Sequence, residues 1–249
     1  MKTSFIYSIG TPFEELQQVE STNNYATGLV HAGLAQSGMA VFAHDQTKGK
    51  GQRNKEWQSE GGKNISLSII LQPVNLALSQ SFLLSMATAV GVYNFFAAHA
   101  GPETKVKWPN DLFWRDRKAG GILIENIVKG SKWEAAIVGI GINVNQTHFD
   151  HLGTKAVSLK QITGRDQEPL ALAKELCSHL EKAYDLLEKL PSEIKEQYRK
   201  HLYKLNETVR LKQGSRVFDA AIRDVSSLGE LVVEHATEER FGVGEVEWV

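Results

Sequence analysis

The stretch "KVKWPNDLFWRDRKAGGILIEN", residues 105–126, decides the fold class. It predicts three short β-strands, with a turn at residues 109–111 and a polar reversal at residues 115–117. Connections this short join antiparallel neighbours, because parallel strands need a crossover of a dozen or more residues. We therefore predict an α+β fold, with a mixed, largely antiparallel sheet packed with helices.

The rest of the chain supplies the other elements of this prediction. Further strands are expected in "GMAVFAHDQ", "NISLSIILQP" and "EAAIVGIGINVN", and helices at about residues 21–35, 78–99, 169–190 and 192–205. After Asn206, short alternating runs separated by Gly and Ser indicate a small barrel or sandwich of about four to six strands. We predict a large domain over residues 1–205 and a small C-terminal β-domain over residues 206–249.

Composition excludes several classes of function. The chain has 249 residues and a formal net charge of −1, which disfavours a general nucleic-acid binder. Cys177 is the single cysteine and falls in an apolar helical pattern, so we expect a buried thiol and no disulfide. We see neither a signal-peptide pattern nor a run of about 18 apolar residues. These features predict a cytoplasmic protein that does not enter a membrane.

The segment "QTKGKGQRNKEW", residues 46–57, combines glycines with four cationic side chains. Glycines let the backbone approach a ligand, and successive amides can wrap an anion. The spacing does not match a P-loop, and no helix follows. A solvated surface loop remains an alternative, although Trp57 is costly to leave exposed. The segment is therefore a candidate lid over an anionic ligand.

Lys118 begins an apolar strand, and a period of two places it on the face of Gly120, Ile122 and Ile124. Such a lysine either reaches solvent at the strand end or points into a pocket as a cation. Gly120 and Gly121 thin the strand, as expected where a ligand lies flat against it. The turn at residues 109–111 needs no function beyond the turn itself.

The segment "VGIGINVN", residues 138–145, places Gly139, Gly141 and Asn143 on the face opposite to Ile140 and Ile142. One face of this strand is therefore bare backbone. Close packing of a helix on the sheet and a ligand surface are both open explanations. The spacing does not match a dinucleotide-binding fingerprint.

The order of these segments is more specific than any one of them. "ESTNNYA", "QTKGKGQRNKEW", "KWPNDLFWRDRKAGGILIE" and "VGIGINVN", followed by a small β-domain, closely resemble biotin–protein ligase. The resemblance covers nearly the whole chain from Ser21, and residues 107–125 are its most specific part. It implies the class II aminoacyl-tRNA-synthetase-like fold of biotin and lipoate ligases with an SH3-like C-terminal barrel. It also implies the ligase-only type, without an N-terminal DNA-binding domain.

The resemblance implies a two-step reaction. Biotin and ATP form biotinyl-5′-AMP, with Mg²⁺ accompanying the nucleotide, and biotin then passes to one lysine of a biotin carboxyl carrier domain. The expected partner is therefore that carrier domain of a carboxylase, with neither DNA nor a membrane involved, and the protein is expected to be a monomer or homodimer. Residues 1–205 would form the catalytic domain that binds biotin and ATP.

The resemblance also assigns roles to individual residues, while the metal ligands remain unassigned. The catalytic group is Lys118, Arg53 and Lys50. Biotin would contact Ser21, Thr22, Asn23, Gln46, Gly49, Lys50, Gly51, Gln52, Lys118, Gly120 and Gly121. ATP or the adenylate would contact Arg53, Trp57, Lys107, Asn110, Asp111 and Asn143. A helix cap remains the alternative for Ser21.

This chain departs from the family's G-R-G-R-R-G core, where it has Gly49-Lys50-Gly51-Gln52-Arg53-Asn54. Lys50 keeps the charge of an arginine without its bidentate fork, and Gln52 removes a charge, so retention of the adenylate is expected to differ. Asn54 still tolerates left-handed geometry. Two other functions remain open: a lipoate–protein ligase or octanoyltransferase of the same fold, and a nucleic-acid or carrier-binding module that uses residues 48–55.

Overall fold

The computed structural model describes residues 8–73, 76–149 and 155–249, without the side chain of Asn54. A seven-stranded sheet has the order β1-β2-β3-β7-β6-β5-β4. Its strands are β1 Phe13–Val19, β2 Ala40–Gln46, β3 Asn64–Leu71, β4 Thr104–Lys107, β5 Asp111–Trp114, β6 Arg117–Lys129 and β7 Lys132–Asn143. β1 and β2 pair in parallel and the other neighbours are antiparallel. The predicted α+β class and largely antiparallel sheet are confirmed.

The helices of the same region are α1 Thr22–His31, α2 Ser81–Ala100, α3 Leu159–Thr163, α4 Pro169–Lys189 and α5 Pro191–Lys200. α1 ends earlier than predicted because Gly33, with φ of +70°, ends the helical run. α5 also ends early, because the next residues leave the helix and Leu202 pairs with Val106 of β4. Sequence patterns missed β1 and α3, which are short and weakly periodic.

The sheet is buried on both faces. Apolar residues alternate along β3, and Ile65, Leu67 and Ile69 enter the main core with α2 and α4. The other face of β3 is not exposed, however. α1 covers it, and Ile70 joins a second apolar cluster with Ala26 of α1. Polar residues on this second face are therefore enclosed, and they form part of the site described below.

The helix at residues Leu78–Ala100, which is α2 with its preceding 3₁₀ turn, is long and apolar enough to cross a membrane by length and composition. This corrects the expectation that the chain has no such run. Core helices meet the same criterion, and most of the apolar side chains of α2, such as Phe95 and Phe96, are buried inside the protein. α4 and α5 pack against this helix.

Cys177 lies in α4 and is buried beside Gly10, as expected from its apolar surroundings. Burial raises the pKa of its thiol to about 12. The thiolate is the reactive form of cysteine, so this residue acts as a small apolar core residue.

A second sheet follows, with the order β11-β10-β9-β8-β12. Its strands are β8 Thr208–Gln213, β9 Arg216–Val225, β10 Leu231–Glu234, β11 Glu238–Phe241 and β12 Glu247–Trp248. Five strands agree with the prediction and are consistent with an SH3-like barrel. The indole nitrogen of Trp108 donates to the carbonyl of Gly229 at 2.9 Å and so joins the two sheets.

Candidate functional site

A cavity of about 1130 Å³ lies over the second face of the large sheet, and the loop after β2 and the segment before β12 form its other walls. Of the residues that the sequence selected, only Gly49 and Gly120 do not line it. Those that do are Ser21, Thr22, Asn23, Gln46, Lys50, Gly51, Gln52, Arg53, Trp57, Lys107, Asn110, Asp111, Lys118, Gly121 and Asn143. The fold therefore brings together segments that are far apart in the chain.

The N-terminus of α1 forms a polar end of this cavity. Ser21 is the N-cap, and its buried hydroxyl accepts from the amide of Asn24 at 3.5 Å. Gln46, the last residue of β2, reaches the same point. Its Oε1 accepts from the amide nitrogen of Thr22 at 2.8 Å and from the Thr22 hydroxyl at 3.0 Å. Ser21 therefore caps α1 and also belongs to the polar cluster, so the two roles do not exclude each other.

Asn23 lies flat over the bare backbone of β7. Its Nδ2 donates to Glu125 Oε2 at 2.7 Å, and its Oδ1 accepts from the Ser68 hydroxyl at 2.6 Å. A Cβ at Gly139 would overlap the Asn23 amide. The glycine is therefore required for close packing of α1 on the sheet, and this packing holds the amide in one orientation.

The loop at residues 47–63, which we call the lid, is folded back over the sheet. The amide of Gly51 donates to the carbonyl of Lys55 at 2.7 Å, and the amide of Trp57 donates to Gly49 at 2.8 Å. Gly49 faces the Trp57 carbonyl, so it shapes the lid and does not line the cavity. Arg53 adopts a left-handed conformation, with φ of 57°. This structured cover favours the predicted lid over the alternative of a solvated surface loop.

The indole of Trp57 lies on the glycines of the sheet. A Cβ at Gly141 would clash with the indole ring, and one at Gly121 would lie 3.4 Å from it. The ring centroid is 5.8 Å from Lys118 Nζ. The bare face of β7 therefore receives Asn23 at one glycine and Trp57 at the next. The indole nitrogen is buried without a hydrogen-bond partner among the described residues.

The lid also reaches the second sheet. The guanidinium of Arg53 occupies the position that a side chain at Gly244 would fill. Gly244 has φ of +92°, a conformation that favours glycine. Lys50 of the lid contacts Glu125 of β6 at 3.4 Å. The lid thus contacts both sheets through its cations: Arg53 contacts the second sheet and Lys50 contacts the large one.

Lys118 and Asp111 form an ion pair in the cavity, with 2.6 Å between Nζ and Oδ1. The predicted face for Lys118 was wrong. The pairing of β5 with β6 shifts at Ala119, because Leu112 opposes Gly120 while Phe113 opposes Lys118. This β-bulge adds one residue and reverses the side to which Lys118 points. Its side chain therefore lies beside Gly121, and not with the core residue Ile122.

Lys107 occupies an aromatic box at the opposite wall. Its Nζ lies 4.8 Å from the ring centroid of Phe113, 5.7 Å from Tyr203 and 4.7 Å from Trp248. Burial lowers the pKa of the Lys107 ammonium; Asp111 opposes this shift, and nearby lysine charges add to it. An anion in the cavity would favour the charged form of this lysine and so oppose the shift.

The backbone around Lys118 is fixed by neighbouring polar side chains and by a glycine, namely Asn110, Asn143 and Gly120. Asn110 Nδ2 donates to the carbonyl of Ile122 at 2.5 Å. Asn143 Nδ2 donates to the carbonyls of Val157 at 3.1 Å and Lys118 at 3.4 Å. A Cβ at Gly120 would lie 2.7 Å from the Gly141 carbonyl, so this glycine faces the neighbouring strand and not the cavity.

Three residues that the sequence reasoning did not select belong to this site. Glu125 joins Asn23 to Lys50, Ser68 links Asn23 with Thr22, and Trp248 closes the box around Lys107. The sequence could have indicated Glu125, because alternation along β6 places it on the same face as Gly121. The position of Trp248 depends on how the two sheets pack, which no local pattern reports.

Among the described residues there is no group of three or more His, Cys, Asp and Glu side chains that could hold a metal ion. Asp111 is a carboxylate that lines the cavity, and it is paired with Lys118. This donor set does not form a resident metal site.

Comparisons with known proteins agree with this arrangement. The family model described as "Biotin/lipoate A/B protein ligase family" matches residues 15–143. The "Bifunctional ligase/repressor BirA" of Bacillus spizizenii is 34% identical over 169 residues, 67% of this chain and 51% of that protein. The "Biotin--[acetyl-CoA-carboxylase] ligase" of Paracoccus denitrificans is 35% identical over 160 residues, 62% of this chain and 65% of that protein.

A solved structure of a biotin protein ligase matches a larger part of this chain. The biotin protein ligase of Aquifex aeolicus in complex with biotin and ATP has a TM-score of 0.78 and 25% identity, and the match covers 94% of this chain and 98% of that one. The chain spans about half the length of the Bacillus spizizenii relative.

Proposed function

Because the chain belongs to the biotin/lipoate A/B protein ligase family, we propose that it activates biotin with ATP and transfers it to a lysine of a biotin carboxyl carrier domain. One observation carries the proposal. A single cavity joins the polar cluster of Thr22, Asn23 and Gln46 to Lys118 and to the cations of the lid. Such a cavity offers hydrogen bonds to a polar head group at one end and positive charge to a carboxylate and phosphate at the other.

The first step forms a mixed anhydride. A carboxylate oxygen of biotin attacks the α-phosphorus of ATP, and the bond from that phosphorus to the pyrophosphate oxygen breaks. Both reactants are anions, so their approach needs cations that also stabilise the charge on the phosphoryl oxygens. We assign this role to Lys118, with Lys50 and Arg53 of the lid.

The ion pair between Lys118 and Asp111 supports this assignment. Asp111 holds the lysine side chain over Gly121, so that its ammonium is already oriented toward the cavity. A group fixed in advance loses little conformational freedom when the transition state forms. Asn110 and Asn143 are positioning residues in this scheme, because their amides hold the backbone around Lys118.

The second step transfers the acyl group. The ε-amine nitrogen of the acceptor lysine attacks the acyl carbon, the bond to the AMP oxygen breaks, and the amine loses a proton. Water must be kept away, because it hydrolyses the same anhydride. The lid provides the cover, with Trp57 as its apolar plate and Gly51 and Gln52 at the cavity wall.

We propose that Mg²⁺ enters with ATP and is held mainly by the phosphates. Mg²⁺ usually keeps several waters and uses one or two carboxylates together with substrate phosphates. Asp111 is a carboxylate of the cavity that would be available for this if Lys118 turned to the phosphate. Lys107 and Trp57 line the part of the cavity that we assign to the nucleotide.

The polar end of the cavity is assigned to the ureido ring of biotin. Ser21, Thr22, Asn23 and Gln46 supply hydroxyl and amide groups there, whereas the dithiolane ring of lipoate has no polar hydrogen-bonding groups for them. This contrast favours biotin over lipoate within the family. A cytoplasmic location follows as part of the proposal, since ATP is consumed.

We also propose that the chain divides into two domains at residue 206 and that both contribute to the site. Val246, Glu247 and Trp248 of the C-terminal segment line the cavity, so the small domain would complete the site. The catalytic domain of residues 1–205 would not be sufficient for full activity.

Incubation of the purified protein with biotin and α-³²P-labelled ATP tests the first step. We expect the label to appear in biotinyl-AMP and unlabelled pyrophosphate to be released. Lipoate should react much more slowly. Efficient formation of lipoyl-AMP with no biotinyl-AMP would replace this proposal by a lipoate ligase. No adenylate from either acid would contradict the enzyme class.

A further inference from the structure

Ser66 presents its hydroxyl to the cavity. The residue is 4% exposed and lines the cavity floor. Among the residues that the structure describes, its hydroxyl takes part in no hydrogen bond. The hydroxyl is not among the fully enclosed unpaired polar atoms, so it keeps access to the cavity, and a ligand that covered it without bonding to it would leave it unpaired. The hydroxyl is therefore available to a ligand.

The neighbours of Ser66 on β3 differ from it in this respect. Asn64 and Ser68 lie on the same face, two residues to either side. Asn64 donates to Gln146 at 2.6 Å and accepts from the amide of Val144 at 3.0 Å. Ser68 bonds the side chains of α1. Of these three residues, only Ser66 has no side-chain hydrogen bond to any described residue.

The strand register places Ser66 between the polar cluster and the lid tryptophan. Ser68 opposes Gly139, under Asn23, and Ser66 opposes Gly141, under Trp57. Side chains two residues apart on a strand are about 7 Å apart. A ligand head group that contacts the cluster of Thr22 and Gln46 would therefore lie within reach of the Ser66 hydroxyl.

We propose that Ser66 is a specificity-determining residue that hydrogen-bonds the polar ring of the acyl substrate. This inference rests on the proposed function, because it names the head group of the same substrate. A site that holds a buried hydroxyl for a ligand disfavours analogues that cannot bond to it, since the hydroxyl then stays unpaired. Ser66 therefore discriminates against acids with an apolar head.

The test compares Ser66→Ala with Ser68→Ala, two identical changes on one face of one strand. We measure the melting temperature and the dissociation constants of biotin and of lipoate by calorimetry. Ser66→Ala removes no hydrogen bond to any described residue, so its melting temperature should stay within about 1 °C of the wild type. Its biotin dissociation constant should rise about 3- to 10-fold, as for loss of one hydrogen bond. Lipoate binding should be unchanged or tighter.

Ser68→Ala is the structural control, because it removes the donor to Asn23 Oδ1 and should lower the melting temperature. Unchanged biotin binding by Ser66→Ala would overturn the inference, as would a loss of stability equal to that of Ser68→Ala. Ser66→Thr, which keeps the hydroxyl, should restore part of the affinity. If the wild type itself binds no biotin, the proposed function fails and this inference falls with it.

Discussion

The guanidinium of Arg53 lies against the backbone of Gly244, in space that any side chain on the glycine would occupy. Arg53 belongs to the lid and Gly244 to the turn between β11 and β12 of the second sheet. Both residues have positive φ, at 57° and +92°. The position of the lid is therefore defined by the small sheet as well as by the large one.

The contact between Arg53 and Gly244 can be tested by adding a single methyl group. Gly244→Ala would both strain the backbone and displace the guanidinium, so we expect an open lid and faster trypsin cleavage within residues 47–63. Gly242→Ala is the matched control, because its Cβ would meet only the flexible carboxylate of Glu245 at 3.3 Å or more. Equal cleavage of the two variants would show that Gly244 does not hold the lid.

Removal of Lys118 should affect chemistry far more than folding. Lys118→Ala deletes a partly exposed side chain of the cavity and no core volume. We expect a loss of about 10²- to 10³-fold in single-turnover adenylation, as when one group that stabilises transition-state charge is removed. Lys160→Ala, which breaks an ion pair with Asp166 outside the cavity, should retain activity. Unchanged adenylation in Lys118→Ala would refute the role.

Gln52 is the position where a charge can be added to the lid. Gln52→Arg places a cation beside the proposed anionic adenylate, so we expect up to about fivefold slower release of biotinyl-AMP, the effect of one exposed ion pair. Gln52→Glu should accelerate release. Pulse–chase with labelled biotin measures both rates. If the two variants release the adenylate equally fast, residue 52 does not act through charge.

His201 predicts a specific loss of stability in acid. It stacks on Tyr93 at 3.7 Å between centroids, and burial, with the charges of Lys105 and Lys200, lowers its pKa from 6.5 to about 4. The unfolded chain takes up a proton near pH 6.5 while the folded protein does not, so stability falls as the pH drops from about 6.5 to about 4.

The variant His201→Phe keeps the ring stack and removes the titration. Its melting temperature should therefore decline less than that of the wild type across this pH range. Parallel curves for the two proteins would assign the acid loss to other groups. Thermal unfolding followed by circular dichroism at several pH values supplies the comparison.

The sequence predicted much of this architecture because its signals are local. The short connections around residues 109–117 required antiparallel pairing, and the alternation of Gly139 and Gly141 with Ile140 marked the bare face of β7. The face of Lys118 was not predictable, because one inserted residue at a β-bulge reverses parity without changing the local pattern. The contact of Arg53 with Gly244 depends on packing between two sheets, which sequence periodicity does not encode.

The central claim is tested most directly by offering the protein a biotin carrier domain together with biotin and ATP. We expect mass spectrometry to show one biotin on one lysine of the carrier, with AMP and pyrophosphate released in equal amounts. A carrier in which that lysine is replaced by arginine should remain unmodified. Failure to biotinylate the intact carrier, together with modification of a lipoyl domain by lipoate, would contradict the account.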